Sequence, residues 1–133
     1  MKEVKQVIVM RKDLKMRRGK EIAQGAHSAV GSVIDQGRIE QKGKKKKLVI
    51  EFDEGSALDS WLTEKFRKIC VYVNSEEELL DIYNKAVRLR LPCALIRDAG
   101  DTEFKGVPTL TCCAIGPDFS EKIDEVTKSL TLY

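Results

Sequence analysis

Short apolar runs alternate with longer amphipathic segments along most of this chain. The runs are rich in β-branched residues and have few interruptions, which is typical of strands buried on both faces. They predict strands over residues 5–10, 69–73, 93–97 and 109–115, with weaker strand propensity at 48–52. The amphipathic segments predict helices over 19–36 and 56–66, then between Ser75 and Pro92, and finally after Asp118.

The order of these elements predicts an α/β fold in a single domain over residues 1–133. Strands and helices follow one another as β-α-α-β-α-β-β-α, which is typical of one mixed sheet with helices on both faces. The connector between the last two strands is too short for a helical crossover, so we expect these strands to pair antiparallel. Gly116 and Pro117 are expected to end the last strand, and Asp118 with Glu121 to form a capping box.

The first predicted helix has one more polar stripe than an ordinary amphipathic helix. We expect its apolar face to pack in the core, and that face comprises Ile22, Ala23, Ala26, Ala29, Val30, Val33 and Ile34. The face expected to meet solvent comprises Glu21, Ser28, Ser32 and Asp35. A third stripe has no obvious structural duty and comprises Lys20, Gln24, His27 and Gly31. This third stripe is therefore a candidate for function.

The predicted topology brings this stripe to the same edge of the sheet as Asp98. Ligands in open α/β sheets bind beyond the carboxyl ends of the strands. The connector before the first helix leaves the carboxyl end of the first strand, and Asp98 stands at the carboxyl end of the third. The antiparallel fourth strand then begins nearby. We therefore expect a single pocket to contain Lys20, Gln24, His27, Asp98, Thr102 and Thr111.

Composition narrows the class of protein. Hydrophobic residues make up 42% of the chain, which is enough to build a core, and no run approaches the ~20 apolar residues of a membrane span. Lys2, Glu3 and Lys5 interrupt any apolar region at the N-terminus, so we expect no signal peptide. The expectation is a soluble, cytoplasmic protein that makes no membrane contact.

The cysteines and glycines do not predict a metal or nucleotide cofactor. The 4 cysteines form no CxxC pair, and His27 lies far from them along the chain. Reduced, buried thiols are the simpler interpretation. Gly19-Lys20 lacks the other residues of a phosphate-binding P-loop, and Gly25 and Gly31 lie inside a predicted helix. We expect no metal and no organic cofactor.

The net charge of +3 conceals a strongly basic N-terminal part. Residues 1–47 hold 14 Lys or Arg and 5 Asp or Glu, whereas the rest holds 10 and 16. Such a basic surface attracts phosphate groups whatever the sequence of the nucleic acid. Much of this charge lies in residues 38–47, which are expected to form a mobile basic loop. That loop is either merely solvated or part of the phosphate-binding surface.

Two separated motifs and the C-terminal end of the chain carry a family resemblance. The first motif comprises Lys5-Gln6-Val7-Ile8-Val9, Arg11, Asp13-Leu14, Met16, Gly19-Lys20, Ala23-Gln24 and His27-Ser28-Ala29. The second comprises Leu95-Ile96-Arg97-Asp98-Ala99-Gly100, Thr102-Glu103, Thr109, Thr111 and Ala114-Ile115-Gly116-Pro117. The end comprises Ile123-Asp124, Val126-Thr127, Leu130 and Leu132-Tyr133. Together they resemble the type 2 peptidyl-tRNA hydrolases, the archaeal and eukaryotic type, although the lysine-rich segment 38–47 is unusual for that family.

The resemblance implies a fold, an activity and a site. The fold is a three-layer α/β/α sandwich with a mixed, mostly parallel four-stranded sheet, usually in a homodimer. The activity is hydrolysis of the ester between a peptide and the 3′ ribose of tRNA, which recycles tRNA during translation and makes peptidyl-tRNA the partner. The implied catalytic cluster comprises Lys20, Gln24, Asp98, Thr102 and Thr111, with His27 close by.

Ester hydrolysis needs an activated water, a stabilised oxyanion and a proton for the leaving oxygen. We expect Asp98 to orient or deprotonate the water, and Lys20 to stabilise the oxyanion or grip a phosphate. His27 is either a proton-transfer group or a packing residue. The side chains expected to contact tRNA phosphates are Arg11, Lys12, Lys15, Arg17 and Arg18. A non-catalytic RNA-binding module and a protein-interaction module on the same fold stay open as alternatives.

Overall fold

The computed structural model of the chain describes residues 2–133. Within that range the elements are, in chain order, β1 (Val4–Arg11), α1 (Arg18–Ile34), β2 (Arg38–Lys42), β3 (Lys45–Val49), α2 (Ala57–Thr63), β4 (Lys68–Val73), α3 (Glu76–Arg88), β5 (Cys93–Asp98), β6 (Thr109–Phe119), α4 (Ser120–Thr127) and β7 (Thr131–Leu132). Short 3-10 turns lie at Lys12–Leu14 and Phe104–Gly106. None of the helices in residues 2–133 has both the length and the apolar composition that a membrane crossing requires.

The main sheet is mixed, as predicted, but its details differ. Among the described residues it has five strands in the order β5-β6-β1-β4-β7. Only β1 and β4 pair in parallel, and the three other neighbouring pairs are antiparallel. The prediction of four strands that are mostly parallel is therefore wrong. The strand β7 is too short to show a periodic pattern, and β6 inserts between β1 and β5, which separates two strands that run in the same direction.

One face of the sheet carries the main apolar core beneath α3 and α4. The buried side chains of this core are Val7, Val9, Val71, Val73, Leu79, Ala86, Leu91, Leu110, Cys113, Ile115, Ile123 and Val126. Ser75 caps the beginning of α3, since its hydroxyl accepts a hydrogen bond from the Glu78 backbone N–H at 3.0 Å. This face agrees with what the apolar periodicity indicates.

The opposite face of the sheet is covered by α1 and α2, and here the predicted packing side of α1 is wrong. The buried residues of α1 are Gln24, Gly25, Ser28, Ala29 and Ser32, whereas the side chains of Ile22 and Val30 are 66% and 56% exposed. Small side chains let the helix approach the sheet closely. The serine hydroxyls are satisfied there, because Ser28 donates to the Gly25 carbonyl at 2.8 Å and Ser32 to the Gly116 carbonyl at 2.5 Å.

Residues 38–47, predicted as a mobile loop, instead lie in an antiparallel β-hairpin formed by β2 and β3. The strand predicted over 48–52 begins earlier, at Lys45. The hairpin pairs only with itself and not with the main sheet. Lysine is a poor strand former, so the sequence indicated a loop where cross-strand pairing gives a hairpin.

The predicted end of the last long strand is also wrong. The strand β6 continues through Gly116 and Pro117 to Phe119, and no side chain caps the helix α4 that follows. Proline lacks a backbone donor. It is tolerated here because the register between β1 and β6 shifts between Lys5 and Val7, so that Gly116 and Pro117 together lie opposite Gln6 in a bulge.

Candidate active site

An ion pair between Lys20 and Asp98 forms the centre of the candidate site. Lys20 lies in the first turn of α1, and Asp98 is the last residue of β5. Lys20 Nζ donates a hydrogen bond to Asp98 Oδ1 at 2.8 Å, and the two side chains are only 15% and 13% exposed. Because water screens a partly buried pair less than a surface pair, this contact holds both groups in a defined geometry.

Gln24 and Thr111 support the pair from beneath. Thr111 lies on β6, and its Oγ1 donates to Gln24 Oε1 at 2.5 Å. Gln24 Nε2 then donates to Asp98 Oδ1 at 3.3 Å. Both Gln24 and Thr111 are buried. Since the hydroxyl donates to the amide oxygen, Thr111 fixes which end of the Gln24 amide faces the carboxylate.

A tight turn after β5 supplies the remaining contacts. The Gly100 backbone N–H donates to Asp98 Oδ2 at 2.9 Å, which is the pattern of an Asx turn. Lys20 Nζ also donates to Thr102 Oγ1 at 2.9 Å. Gly100 has a φ of 87°, and a Cβ there would lie 2.6 Å from the Val107 carbonyl oxygen. Only glycine fits this turn without strain, and the turn positions both Asp98 and Thr102.

The surroundings of Asp98 keep it ionised. The hydrogen bond from Lys20 lowers the pKa of Asp98; partial burial opposes this, while the Gly100 N–H and the nearby charges of Lys20 and His27 add to it. A carboxylate offers about four acceptor positions. In the described structure Lys20 and Gln24 occupy Oδ1, and Gly100 occupies one position on Oδ2. One position on Oδ2 can therefore still accept a hydrogen bond from water.

Two donors also remain beside that position. The ammonium group of Lys20 has three N–H donors, and the described residues use two of them, at Asp98 and Thr102. Thr102 accepts from Lys20, so its own O–H is available to donate. The cluster thus presents a carboxylate that can hold a water, next to a cation and a hydroxyl that can stabilise developing negative charge on oxygen.

His27 lies outside this hydrogen-bonded cluster. It is exposed on α1, and within residues 2–133 it makes no hydrogen bond to the other five predicted site residues. Its charge is the smallest of the contributions that lower the pKa of Asp98. The structure therefore joins Lys20, Gln24, Asp98, Thr102 and Thr111, and leaves His27 at the margin.

The five basic residues predicted to contact phosphates fall into two groups. Arg11 is largely buried, with one guanidinium nitrogen 3.0 Å from the Leu110 carbonyl oxygen and another 2.7 Å from Asp13 Oδ2. The Arg11 side chain links the end of β1 to β6, and it has few N–H donors left for a ligand. The remaining four are exposed on the segment that enters α1, and they are Lys12, Lys15, Arg17 and Arg18.

Two features of the site were not predicted from the sequence. Arg17 Nε donates to Glu103 Oε1 at 3.0 Å, which ties the turn after β5 to the start of α1. Nothing in the spacing of Arg17 and Glu103 predicts this contact. The Gly100 N–H is the second missed group, and the Asp-Ala-Gly sequence could have indicated its turn. Among the described residues, no cluster of three or more His, Cys, Asp or Glu is placed to hold a metal ion.

The fold and this cluster define a mixed α/β domain with a Lys–Asp centre at the end of a strand, next to a basic segment. Residues 4–133 match the family model described as Peptidyl-tRNA hydrolase PTH2. The chain belongs to this family. It is 44% identical over 129 residues to the peptidyl-tRNA hydrolase of Methanocaldococcus jannaschii, which covers 97% of this chain and 99% of that protein. The peptidyl-tRNA hydrolase of Methanopyrus kandleri is 40% identical over 128 residues, with 96% and 97% covered.

Proposed function

We propose that the Lys20–Asp98 cluster is the centre with which this member of the peptidyl-tRNA hydrolase family cleaves peptidyl-tRNA. The chain is a hydrolase of the ester between a peptide and the 3′ ribose of tRNA. The observation that carries the site assignment is the ion pair of Lys20 and Asp98, partly buried and aimed by Gln24 and Thr102. Such preorganised groups suit a reaction in which charge develops on an ester oxygen.

In this mechanism Asp98 Oδ2 holds the attacking water. The water oxygen bonds to the ester carbonyl carbon, and Asp98 accepts a hydrogen bond from the water and then its proton. The lowered pKa makes Asp98 a weak base, so its main contribution is to orient the water. The unused N–H of Lys20 stabilises the oxyanion. The bond to the ribose 3′ oxygen then breaks, and the proton taken from water ends on that oxygen.

The other cluster residues act on these two groups. Thr102 directs the Lys20 ammonium and can donate its own O–H to the leaving oxygen. Gln24 and Thr111 hold Oδ1 of Asp98 so that Oδ2 faces the substrate. His27 remains a candidate for proton transfer to solvent, since its imidazole is exposed beside the cluster.

Exposed cations next to the cluster are proposed to hold the end of the tRNA. Lys12, Lys15, Arg17 and Arg18 lie where α1 begins, and the N-terminal end of a helix also favours anions. Contacts to backbone phosphates make binding tolerant of tRNA sequence and sensitive to salt. We expect this reaction to take place in the cytoplasm and to recycle tRNA during translation.

Purified protein and a peptidyl-tRNA labelled in the peptide test this proposal. The wild-type chain is expected to release free peptide, and Lys20→Ala to lose about 100-fold or more in kcat. Lys122→Ala removes an exposed lysine of α4 and serves as the matched control with full activity. Wild-type protein that binds tRNA and releases nothing would instead favour the non-catalytic RNA-binding module.

A homodimer is the second part of the proposal. The exposed side of α1 carries Ile22, Val30 and Ile34. Beside it lies an open pocket of about 340 Å³ lined largely by apolar groups, among them Ile8 and Tyr133. A contiguous apolar surface of this kind marks an interface, and a two-fold axis lets one patch cover its own copy.

Light scattering during gel filtration tests the dimer. The wild-type chain is expected to elute with twice the mass of one chain. Val30→Glu together with Ile34→Glu places carboxylates in the patch, well away from Lys20 and Asp98, and is expected to yield a folded monomer. A wild-type chain that is monomeric at micromolar concentration would rule out this assembly.

A further inference from the structure

The hairpin of β2 and β3 carries an uninterrupted run of four lysines, Lys44–Lys47, and the mechanism does not use it. Residues 38–49 contain six Lys or Arg and one Glu, for a net charge of +5. Every residue from Arg38 to Leu48 is exposed. Arg38 pairs with Glu40 and Glu51. In the described structure Lys42 and Lys44–Lys47 have no carboxylate within ion-pair distance.

The hairpin gains little from this charge by itself. Lys42 and Lys45 are direct cross-strand partners, and like charges opposite each other destabilise a strand pair. An isolated two-stranded hairpin is at best marginally stable in water. The lysines therefore oppose folding of the segment that carries them, and an anionic ligand would relieve this repulsion.

The lysines also leave no face of the hairpin uncharged. Cross-strand partners share a face, so Lys42, Lys45 and Lys47 point to one side, while Lys46 points to the other with Gln41. Lys44 lies at the turn, next to Gly43 with its φ of 61°. No aromatic side chain lies between residues 38 and 49 to stack on a base. This arrangement suits contacts to backbone phosphates and not the reading of base sequence.

The position of the hairpin sets which part of a tRNA it can reach. Lys20 lies at the beginning of α1, and the hairpin starts four residues beyond the last residue of α1, Ile34. At 1.5 Å per residue, α1 alone separates Lys20 from Ile34 by about 21 Å. The hairpin is therefore too far from Lys20 to contact the ester. Any contact that it makes with a tRNA lies away from the 3′ end of that tRNA.

We infer that the lysine hairpin, residues 38–49, is a second binding site that holds the phosphate backbone of the tRNA body while the 3′ end occupies the Lys20–Asp98 cluster. This inference rests on the proposed function for its ligand. Lysine–phosphate pairs hold a nucleic acid whatever its sequence. Such remote contacts bind substrate and transition state equally, so they lower KM and leave kcat unchanged.

The test compares two variants of equal charge. The hairpin variant carries Lys44→Gln, Lys45→Gln, Lys46→Gln and Lys47→Gln. The control variant carries Lys65→Gln, Lys85→Gln, Lys122→Gln and Lys128→Gln, four lysines that are exposed elsewhere. Each protein is measured for its affinity for deacylated tRNA at several salt concentrations. Each is also measured for cleavage of peptidyl-tRNA and of a peptidyl ester of the trinucleotide CCA.

The hairpin variant is expected to bind tRNA about tenfold more weakly, with a salt dependence reduced by roughly 2 to 4 in log–log slope. Its KM for peptidyl-tRNA is expected to rise by the same factor at unchanged kcat. Cleavage of the CCA ester is expected to stay at the wild-type rate, which also shows that the variant is folded. The control variant is expected to match wild type in each measurement.

Several outcomes would overturn the inference. Wild-type affinity for tRNA in the hairpin variant would do so, as would an equal loss in the control variant, which indicates bulk charge alone. Unchanged tRNA affinity combined with loss of binding to phosphatidylserine vesicles would assign the hairpin to a membrane surface instead. Failure of the proposed function gives a different result, because the wild-type protein would then cleave neither peptidyl-tRNA nor the CCA ester. The tRNA affinities of the two variants would still decide whether the hairpin binds tRNA.

Discussion

The two faces of the main sheet are built on different principles. The face beneath α3 and α4 buries large apolar side chains such as Leu79, Ile115 and Ile123, all fully inaccessible to solvent. The face beneath α1 buries small or polar residues such as Gly25, Ser28 and Gln24, and leaves the large side chains of α1 outside. The first face gains its stability from apolar burial. The second holds side chains in defined positions, because the buried polar side chains of α1, Gln24, Ser28 and Ser32, each have a particular hydrogen-bond partner.

Most of the stability is therefore expected to come from one face of the sheet, and the positioning of the candidate site from the other. Net hydrogen bonds contribute about 1 kcal/mol each to stability, so the α1 face adds less than the apolar core. What the α1 face does is hold Lys20 and Gln24 over the end of β5, where Asp98 lies. Substitutions on the two faces should therefore affect different measurements.

The largest effect is expected for Asp98→Asn. The amide has the size of the carboxylate but cannot attract Lys20 or take a proton from water, so kcat should fall by about 10² to 10⁴-fold. The melting temperature should change little, because the larger apolar core lies on the other face. Peptide release from labelled peptidyl-tRNA and thermal unfolding measure the two effects. A variant that keeps the wild-type rate would remove Asp98 from the mechanism.

Leu79→Ala is the matching test of the α3 and α4 face. Leu79 is fully buried, and removing its branched end should lower the free energy of unfolding by about 2 to 5 kcal/mol. The folded fraction should retain the wild-type kcat. Leu89→Ala provides the control, since Leu89 is 43% exposed and should change stability by less than about 0.5 kcal/mol. Denaturation in urea gives both values, and a large loss of kcat in Leu79→Ala would contradict the separation.

The same contrast explains which parts of the fold could be predicted. Val7, Val9 and Val71 form short apolar runs, and the strands that contain them follow directly from periodicity. For α1 the helix was predicted but its buried side was not, because hydrophobicity places Ser28 outside and Ile22 inside. Close helix–sheet contact and hydrogen bonds reverse this order, and neither is visible in a pattern of apolar positions.

The proximity of the predicted site residues was easier to predict than the sheet that carries them. Lys20, Gln24 and Asp98 meet because β1 and β5 run in the same direction, and this holds although β6 lies between them. The number of strands and the share of parallel pairs do not affect that juxtaposition, so the errors in those two predictions did not matter to it. The contact between Arg17 and Glu103 depends on the path of a loop, which the sequence does not determine in any simple way. The catalytic roles of these residues stay predictions until they are measured.

Thr111→Val tests whether the buried hydrogen bonds of the α1 face act through position. The substitution keeps the shape of the side chain but removes the donor to Gln24 Oε1. The Gln24 amide is then free to turn, and an unpaired buried oxygen should cost about 1 to 3 kcal/mol of stability. We expect kcat to fall by about tenfold, since small misplacements are costly in catalysis. Thr111→Ser restores the hydroxyl and should recover most of kcat, which a purely steric role would not allow.

The smallest effect is expected in the acid dependence of stability. Lys20 lowers the pKa of Asp98 in the folded chain, so folded protein holds the ionised form more strongly than unfolded protein does. The resulting stability is fully present above the unfolded pKa of about 3.9, and it is lost as the pH falls through the folded pKa. Lys20→Gln removes the main cause of the shift. The pKa of Asp98 should then move back upward, so this contribution to stability should be smaller and its loss should be complete at a higher pH.

The carbon resonance of the Asp98 carboxyl group, followed by NMR from pH 6 downward, measures this change directly. Wild type should titrate at lower pH than Lys20→Gln. Lys122→Gln removes an exposed charge of α4 and should leave the titration where wild type has it, which separates the hydrogen bond from general charge. Equal titration in wild type and Lys20→Gln would mean that the ion pair does not hold in solution. Asp98 would then lack a fixed partner on α1. The face beneath α1 would no longer hold this carboxylate in the position that the proposed reaction needs.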